Sequence, residues 1–397
     1  MKLTAVAKKI YCIVLMISFV AVNSQSFEPS YQTIVANCSQ QNILTNLQQY
    51  EALGVKFRGT AALQNTLVWL KNKYLSYGYT ESQIQEDPFS YSGSTCKNLI
   101  VTKIGTLYPD IFVIVDGHYD SVNGTGTNDN GSGVATILEM ARLLQNVPTE
   151  YSIKFINFSG EEEGLHGSSH YVNNIVNATS PKMNIRVLLN IDQVGGIAGQ
   201  INNTITCERD QSTPTVNNLQ SNSFASQMRN YYGLYSPLQT VSGPVYSSDY
   251  VPFQRNGEVV VGIFETNETP YGHSADDLLV NMDPVYVYNV TKGATGTILH
   301  FVKALTSSLE TKMFATDFQI SLYPNPTKES INIYKGNLKE TQYDFKIVAV
   351  DGKIVLHQLF SNAKLVEKLS VEHLPKGLYT GIIKTSDKEI TKKILID

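Results

Sequence analysis

The stretch IKFINFSGEEEGLHGS, residues 153–168, runs from an apolar segment straight into three adjacent glutamates. The segment Ile153–Phe158 reads as a short buried strand, and a helical pattern follows at Ser169–Val176. Three like charges at the end of a buried strand repel one another and resist desolvation, so the arrangement is costly unless a cation sits nearby. Working outward, strands are predicted at Asn98–Ile104, Ile111–Asp116, Arg186–Ile191 and Glu258–Phe264. Helices are predicted at Val134–Gln145, Asn222–Tyr232 and Pro284–Leu305. Strand and helix in alternation specify an α/β fold with a mostly parallel (mixed) central sheet and helices on both faces. In such sheets ligands bind beyond the carboxyl ends of the strands, so the residues after each strand carry the most information.

Upstream, from about Ser30 to Tyr79, apolar residues recur at helical spacing: Leu44, Leu47, Tyr50 and Leu53, then Leu63, Leu67, Leu70 and Leu75. Two amphipathic helices joined near Phe57-Arg58-Gly59 fit, and the single tryptophan, Trp69, falls in the second as a core residue. Downstream of Ser307 the pattern changes to short alternating runs, Ile331–Tyr334, Phe345–Val350, Lys353–Leu359, Leu378–Lys384 and Glu389–Ile396, separated by turns such as Asp351-Gly352. That is a small C-terminal all-β sandwich domain. The predicted organisation is 1–24 signal peptide, 25–311 α/β domain, 312–317 linker and 318–397 β domain.

The leader rests on Lys2, Lys8 and Lys9 ahead of the apolar stretch Ile10–Val22, followed by a small-residue cleavage site at Val22-Asn23-Ser24. An apolar run of about 13 residues is short of the ~20 that a spanning helix needs, so the mature chain is expected to lack a stable membrane span. The expected location is secreted, extracellular or at the cell surface, reached through the periplasm. With 31 Lys+Arg against 35 Asp+Glu and no basic run, nucleic-acid binding has no support. Cys38, Cys96 and Cys207 remain after the leader. An odd count allows at most one intrachain bridge, with Cys38–Cys96 the candidate pair.

The strand ends hold a constellation. After Ile111–Asp116 comes Gly117-His118-Tyr119-Asp120-Ser121, and Asp129 follows in the glycine-rich loop GTGTNDNGSG. Glu161–Glu163 end the next strand, Asp192 lies in LLNIDQVGG, and His273 and Asp277 lie in YGHSADD. Mixed imidazole and carboxylate donors suit zinc, and one carboxylate can bridge two ions about 3.5–4 Å apart. The glycines of the Asp129 loop are read as a tight metal-loop turn, since no Gly-Lys-Ser/Thr follows to make a phosphate cradle. His166 and His170, close to the glutamates, are read as packing or surface residues.

The strings GHYDS, NDNGSG, SGEEEGLHGS, NIDQVG and GHSADD, in this order, resemble the family of secreted co-catalytic two-zinc aminopeptidases, part of the zinc exopeptidase superfamily that also holds glutamate carboxypeptidases and glutaminyl cyclases. The resemblance covers roughly residues 40–306. It implies two Zn2+ ions, one held by His118 and Asp192, the other by Glu162 and His273, with Asp129 bridging. It further implies Glu161 as general base, Asp120 as the carboxylate that fixes the His118 imidazole, and Asp277 as support on the far side. The implied activity is removal of N-terminal residues from peptides by metal-assisted hydrolysis, with Glu161 carrying the proton to the leaving amine.

The tail, with YPNPTKESINIY, VAVDGKIV and LPKGLYTGIIK, resembles the C-terminal sorting domain that directs cargo through the type IX secretion system, which implies a partner in the secretion machinery. Alternatives stay open within the enzyme class: carboxypeptidase or dipeptidase action, for which Arg209 and Arg255 are the available basic residues, and glutaminyl cyclisation, which the shortage of tryptophan opposes. A non-catalytic surface binding protein is the alternative outside it.

Overall fold

Eight strands build the central sheet of the computed structural model, which describes residues 27–178, 180–306, 321–334, 342–364, 366–385 and 389–397. They are β1 (Ile84–Tyr91), β2 (Ser94–Lys103), β3 (Tyr108–His118), β4 (Tyr151–Phe158), β5 (Asn184–Ile191), β6 (Thr204–Arg209), β7 (Gln239–Pro244) and β8 (Val260–Glu265), in the order β1-β2-β4-β3-β5-β8-β6-β7. The four middle strands β4, β3, β5 and β8 are mutually parallel, while β1, β2 and β6 join antiparallel and β7 lies parallel to β6. The helices are α1 (Pro29–Val35), α2 (Gln40–Ala52), α3 (Ala61–Ser76), α4 (Gly131–Leu144), α5 (His166–Tyr171), α6 (Asn218–Tyr235), α7 (Tyr250–Arg255) and α8 (Pro284–Phe301).

The near-continuous apolar runs of the middle strands follow from burial on both faces. On one face Val113, Val115, Ile153, Phe155, Val187 and Leu189 join a core with α3, α4, α6 and α8. On the other, Ile114, Ile156, Phe158 and Leu188 meet Tyr171 and Phe253 from α5 and α7. A fully buried side chain such as Phe155 contributes roughly 1.5–3 kcal/mol. Helix starts are capped by side chains: Ser39 accepts from Asn42 N, Thr60 from Leu63 N, Asn130 from Gly133 N, and Asp283, followed by Pro284, from Val285 N and Tyr286 N. His118 pairs with Phe158 and Ile191 with Ile263, so the carboxyl ends of all four middle strands open on one edge.

Three strands escape the sequence pattern. β1 and β7 are edge strands with mixed polar faces, and β6 is short, so none carries a clear apolar run. The N-terminal segment holds three helices where two were expected, because Pro29–Val35 forms a separate α1. In α2 the buried residues are Ile43, Asn46, Leu47 and Tyr50, so Leu47 and Tyr50 face the core as expected while Ile43 takes the place of Leu44. The expected Cys38–Cys96 bridge does not form. Both are buried free thiols, as is Cys207, and Cys38 packs with Ile43, Leu47 and Met282 while Cys96 lies in the main sheet core.

The chain divides into two compact units, up to residue 308 and from 309 onward. In the second, β10 (Ser330–Tyr334) lies between β9 (Ser321–Tyr323) and β13 (Val366–Ser370). The other sheet is β12-β11-β14-β15, formed by β11 (Tyr343–Ala349), β12 (Ile354–Phe360), β14 (Gly377–Lys384) and β15 (Glu389–Ile396). Ile331, Ile333, Phe345, Ile347, Ile383 and Ile394 from the two sheets share one core, as a small sandwich requires. The short β9 and the half-exposed β13 had no sequence signal. The predicted signal peptide and linker lie outside the described residues. Among the described residues no helix is long and apolar enough to cross a membrane.

Candidate metal centre

Four loops at the carboxyl edge carry the expected residues. His118 is the last residue of β3, Asp120 and Asp129 lie on the loop to α4, and Glu161–Glu163 form the turn between β4 and α5. Asp192 follows β5 directly, and His273 and Asp277 lie between β8 and α8. The structure gathers five of these side chains into two groups that share one carboxylate. His118 Nε2 is 3.3 Å from Asp129 Oδ1 and 3.3 Å from Asp192 Oδ1. His273 Nε2 is 3.1 Å from Asp129 Oδ2 and 2.9 Å from Glu162 Oε2. The two oxygens of Asp129 thus face opposite ways, one into each group.

The supports of these donors are equally specific. Asp277 accepts from the backbone N–H of Asn128 at 2.8 Å and of Asp129 at 3.0 Å, holding the loop at the shared carboxylate. Asn130 caps α4, donates to Ile191 O at 2.8 Å and accepts from Gln193 N, so it ties the Asp129 loop to the end of β5 on either side of Asp192. Ser248 Oγ donates to Asp192 Oδ2 at 2.6 Å, leaving Oδ1 buried without a hydrogen bond. Asp120 acts differently from expectation. His118 Nδ1 lies 3.2 Å from the Asp120 carbonyl oxygen, while the Asp120 carboxylate is 3.8 Å from that nitrogen, too far for a hydrogen bond. Its two oxygens accept instead from Glu161 N at 3.2 Å and Glu162 N at 3.3 Å, because the glutamate turn presents its amides to the same spot.

The three glutamates occupy three settings. Glu162 meets His273, and Glu163 takes Arg58 Nε at 2.7 Å and Tyr91 OH at 2.9 Å. The Glu161 carboxylate takes no hydrogen bond or ion pair among the described residues. Arg58, Tyr91, Ser248 and Glu265 are contributors that the sequence reading passed over. His166 and His170 are structural: His166 stacks on Tyr91 at 4.2 Å, and His170 stacks on Phe89 and meets Asp87 at 3.2 Å. Tyr250 is buried, with its hydroxyl accepting from Tyr246 N. Trp69 packs on Tyr50 and donates its indole N–H to Gln49.

The electrostatics are those of a site short of positive charge. Burial pushes Glu161 and Glu162 up to about 9, with Asp129 adding to the rise at Glu162. The hydrogen bond to Asp129 raises His273 to about 9. Burial opposes charge on His118, yet the Asp192 and Glu161 carboxylates carry its pKa well above the ordinary value. Burial would likewise raise Asp129, but His118 and His273 together hold it below the usual carboxylate range. Protonated imidazoles and carboxyls here do what divalent cations would do: they offset clustered negative charge. The spacing agrees, since tetrahedral ligands about 2.0–2.2 Å from zinc stand roughly 3.3–3.6 Å from each other, a little beyond the 2.9–3.3 Å between the donor atoms. His118, Asp129 and Glu162 also offer donor atoms that all lie within 4.8 Å of one another. The donor set fits a divalent cation such as zinc.

Fold and site together define a class: an α/β protein with paired carboxylate–imidazole groups at the open edge of its sheet. The chain belongs to Peptidase family M28, whose model matches residues 98–297, half of its length, and residues 321–397 match the secretion system C-terminal sorting domain. It is 34% identical over 227 residues to "Aminopeptidase YwaD" of Bacillus subtilis, covering 54% of this chain and 46% of that one. It is 31% identical over 233 residues to "Leupeptin-inactivating enzyme 1" of Streptomyces exfoliatus, covering 56% and 48%. The chain spans about half the length of these curated relatives. Its fold resembles that of LapB from Legionella pneumophila, with a TM-score of 0.61 at 19% identity, over 70% of this chain and 76% of that one. It also resembles glutaminyl cyclase from Fimbriiglobus ruber, with a TM-score of 0.53 at 15% identity, over 66% and 95%.

Proposed function

We propose that this protein is a secreted aminopeptidase that uses two zinc ions to hydrolyse N-terminal residues from peptides. The observation that carries the proposal is the split of Asp129 between two donor groups, beside the Glu161 carboxylate, which takes no hydrogen bond or ion pair among the described residues. His118 and Asp192 would hold one ion, His273 and Glu162 the other, with Asp129 between them. Bound there, the cations would polarise the scissile carbonyl and make water a stronger acid near neutral pH. Glu161 takes the proton from the attacking water and delivers it to the leaving amine, with its backbone held by Asp120. Asp277 and Ser248 keep Asp129 and Asp192 oriented. Similarity to an aminopeptidase of Bacillus subtilis supports peptide hydrolysis from the amino end, and the C-terminal match supports export through a sorting pathway. The domain division proposed is 25–311 for catalysis and 318–397 for sorting.

The test pairs an aminoacyl p-nitroanilide with an N-blocked peptide, before and after removal of metal by a chelator. Release from the free amine alone, lost on chelation and restored by zinc, is expected; cleavage of the blocked peptide alone, or full activity after exhaustive chelation, would overturn the proposal. In the same assay Glu161→Gln retains bound zinc and loses about 10²–10⁴-fold in kcat. Near-normal turnover in that variant would remove Glu161 from its role.

A further inference from the structure

Glu163 is the glutamate the reaction leaves over, yet its surroundings are as defined as those of its two neighbours. Arg58 Nε donates to Oε1 at 2.7 Å and Tyr91 OH donates to Oε2 at 2.9 Å, so both oxygens are engaged by donors from different parts of the chain. Arg58 comes from the α2–α3 junction and Tyr91 from the end of β1. The Tyr91 ring stacks on His166 at 4.2 Å, and a Cβ on Gly160 would come within 3.0 Å of the same ring. One tyrosine therefore covers both ends of the turn from Gly160 to His166.

That turn needs holding. Gly160 (φ 73°), Gly164 (φ 123°) and Leu165 (φ 59°) are all left-handed, so the segment presenting Glu161 and Glu162 belongs to no regular element. On its inner side the Asp120 carboxylate accepts from the two amides at 3.2 and 3.3 Å. The turn closes on itself, with Gly164 N and Leu165 N donating to Glu161 O and His166 N to Gly160 O, each at 2.9 Å, and an anchor on the outer side opposite Asp120 fixes how this closed unit is tilted. Charge adds a second reason. A third carboxylate beside Glu161 and Glu162 would load the centre with further negative charge, and the Arg58 guanidinium cancels it.

We propose that Glu163 is a positioning residue, clamped by Arg58 and Tyr91, that fixes the turn presenting Glu161 and Glu162. The proposal rests on the two-zinc reading of the site. An ordinary exposed ion pair contributes little, but here the carboxylate is shared between two elements and a stacked ring closes over the same turn.

The test compares Glu163→Ala, Glu163→Gln and Tyr91→Phe in the full chain. It measures kcat and KM on the aminoacyl p-nitroanilide, zinc affinity by chelator competition, and melting of the zinc-free protein. Glu163→Ala is expected to lower kcat and zinc affinity by about 10–100-fold, with KM changed less than about threefold and the zinc-free melting temperature nearly unchanged. Glu163→Gln, which keeps the shape and one acceptor, recovers most of the loss, and Tyr91→Phe falls between. Wild-type kcat and zinc affinity in Glu163→Ala would overturn the clamp, as would a loss that tracks a lowered melting temperature in every variant. Should Glu163→Ala fail to fold, unchanged kcat and zinc affinity in the other two would overturn it equally. A wild-type chain that binds zinc and hydrolyses nothing, yet loses zinc affinity in Glu163→Ala, would sink the peptidase reading and leave the clamp standing.

Discussion

Glu265, the last residue of β8, is 1% exposed and accepts from Asn128 Nδ2, Gln193 Nε2, Gly196 N at 2.6 Å and Thr269 N at 2.8 Å. Its partners sit on the loops that carry Asp129, Asp192 and His273, so one carboxylate laces three donor loops together. Replacing it with alanine strands several buried donors at once, and such losses cost about 1–3 kcal/mol each when unrelieved. Glu265→Ala is therefore expected to destabilise the zinc-free protein by about 3–5 kcal/mol, read as a shift in urea midpoint, and Glu265→Gln by less. A change under 1 kcal/mol would show that water replaces the carboxylate at little cost. No sequence signal separated Glu265 from any other acidic residue after a strand. Its role comes from donors 69, 72 and 137 positions away. His118, Glu162 and Asp192, by contrast, announce themselves because imidazoles and carboxylates recur directly after apolar runs.

At the scale of elements, loops rather than strands decide the site. The Asp129 and His273 loops touch so closely that a Cβ on Gly124 would lie 1.9 Å from the carbonyl oxygen of Ser274, and backbone cannot yield as a flexible side chain would. Gly124→Ala should push these loops apart and weaken zinc binding by at least about tenfold, with a much smaller effect on melting of the zinc-free chain. Equal zinc affinity in the variant would show that the loops can separate without moving the donors. The middle strands were legible because burial on both faces demands continuous apolar runs. The edge strands β1 and β7 were not, since an edge half in solvent leaves no such run.

For the molecule as a whole, pH dependence of stability gives a test away from the centre. His300, at the end of α8, stacks on Tyr231 at 3.9 Å, meets Tyr31 edge-on at 4.7 Å, and lies 3.0 Å from Tyr235 OH through Nε2. Burial lowers its pKa to about 4, below the ~6.5 of an unfolded histidine. Between those values the unfolded chain binds the extra proton, so stability rises with pH there. The contribution is complete above about pH 6.5 and is lost as the pH falls toward about 4. As the pH falls from 6.5 to 4.5, a His300→Gln variant should gain roughly 2–4 °C in zinc-free melting temperature relative to the wild type, whatever the net slope set by the carboxyls of the centre. Parallel curves for the two proteins would contradict the depressed value.

Order and local pattern were enough to determine the α/β class, the mixed sheet, the β-sandwich tail and the strand ends and following loops on which His118, Asp129, Glu161, Glu162, Asp192 and His273 fall, because apolar period and turn residues are written along the chain. Which carboxylate meets which imidazole, why Asp120 turns to the glutamate amides, why the three cysteines stay apart, and why Glu163 faces Arg58 and Tyr91 were decided only by tertiary structure. Those outcomes depend on distances between residues scores of positions apart, and such distances exist only once the loops have closed over a common edge.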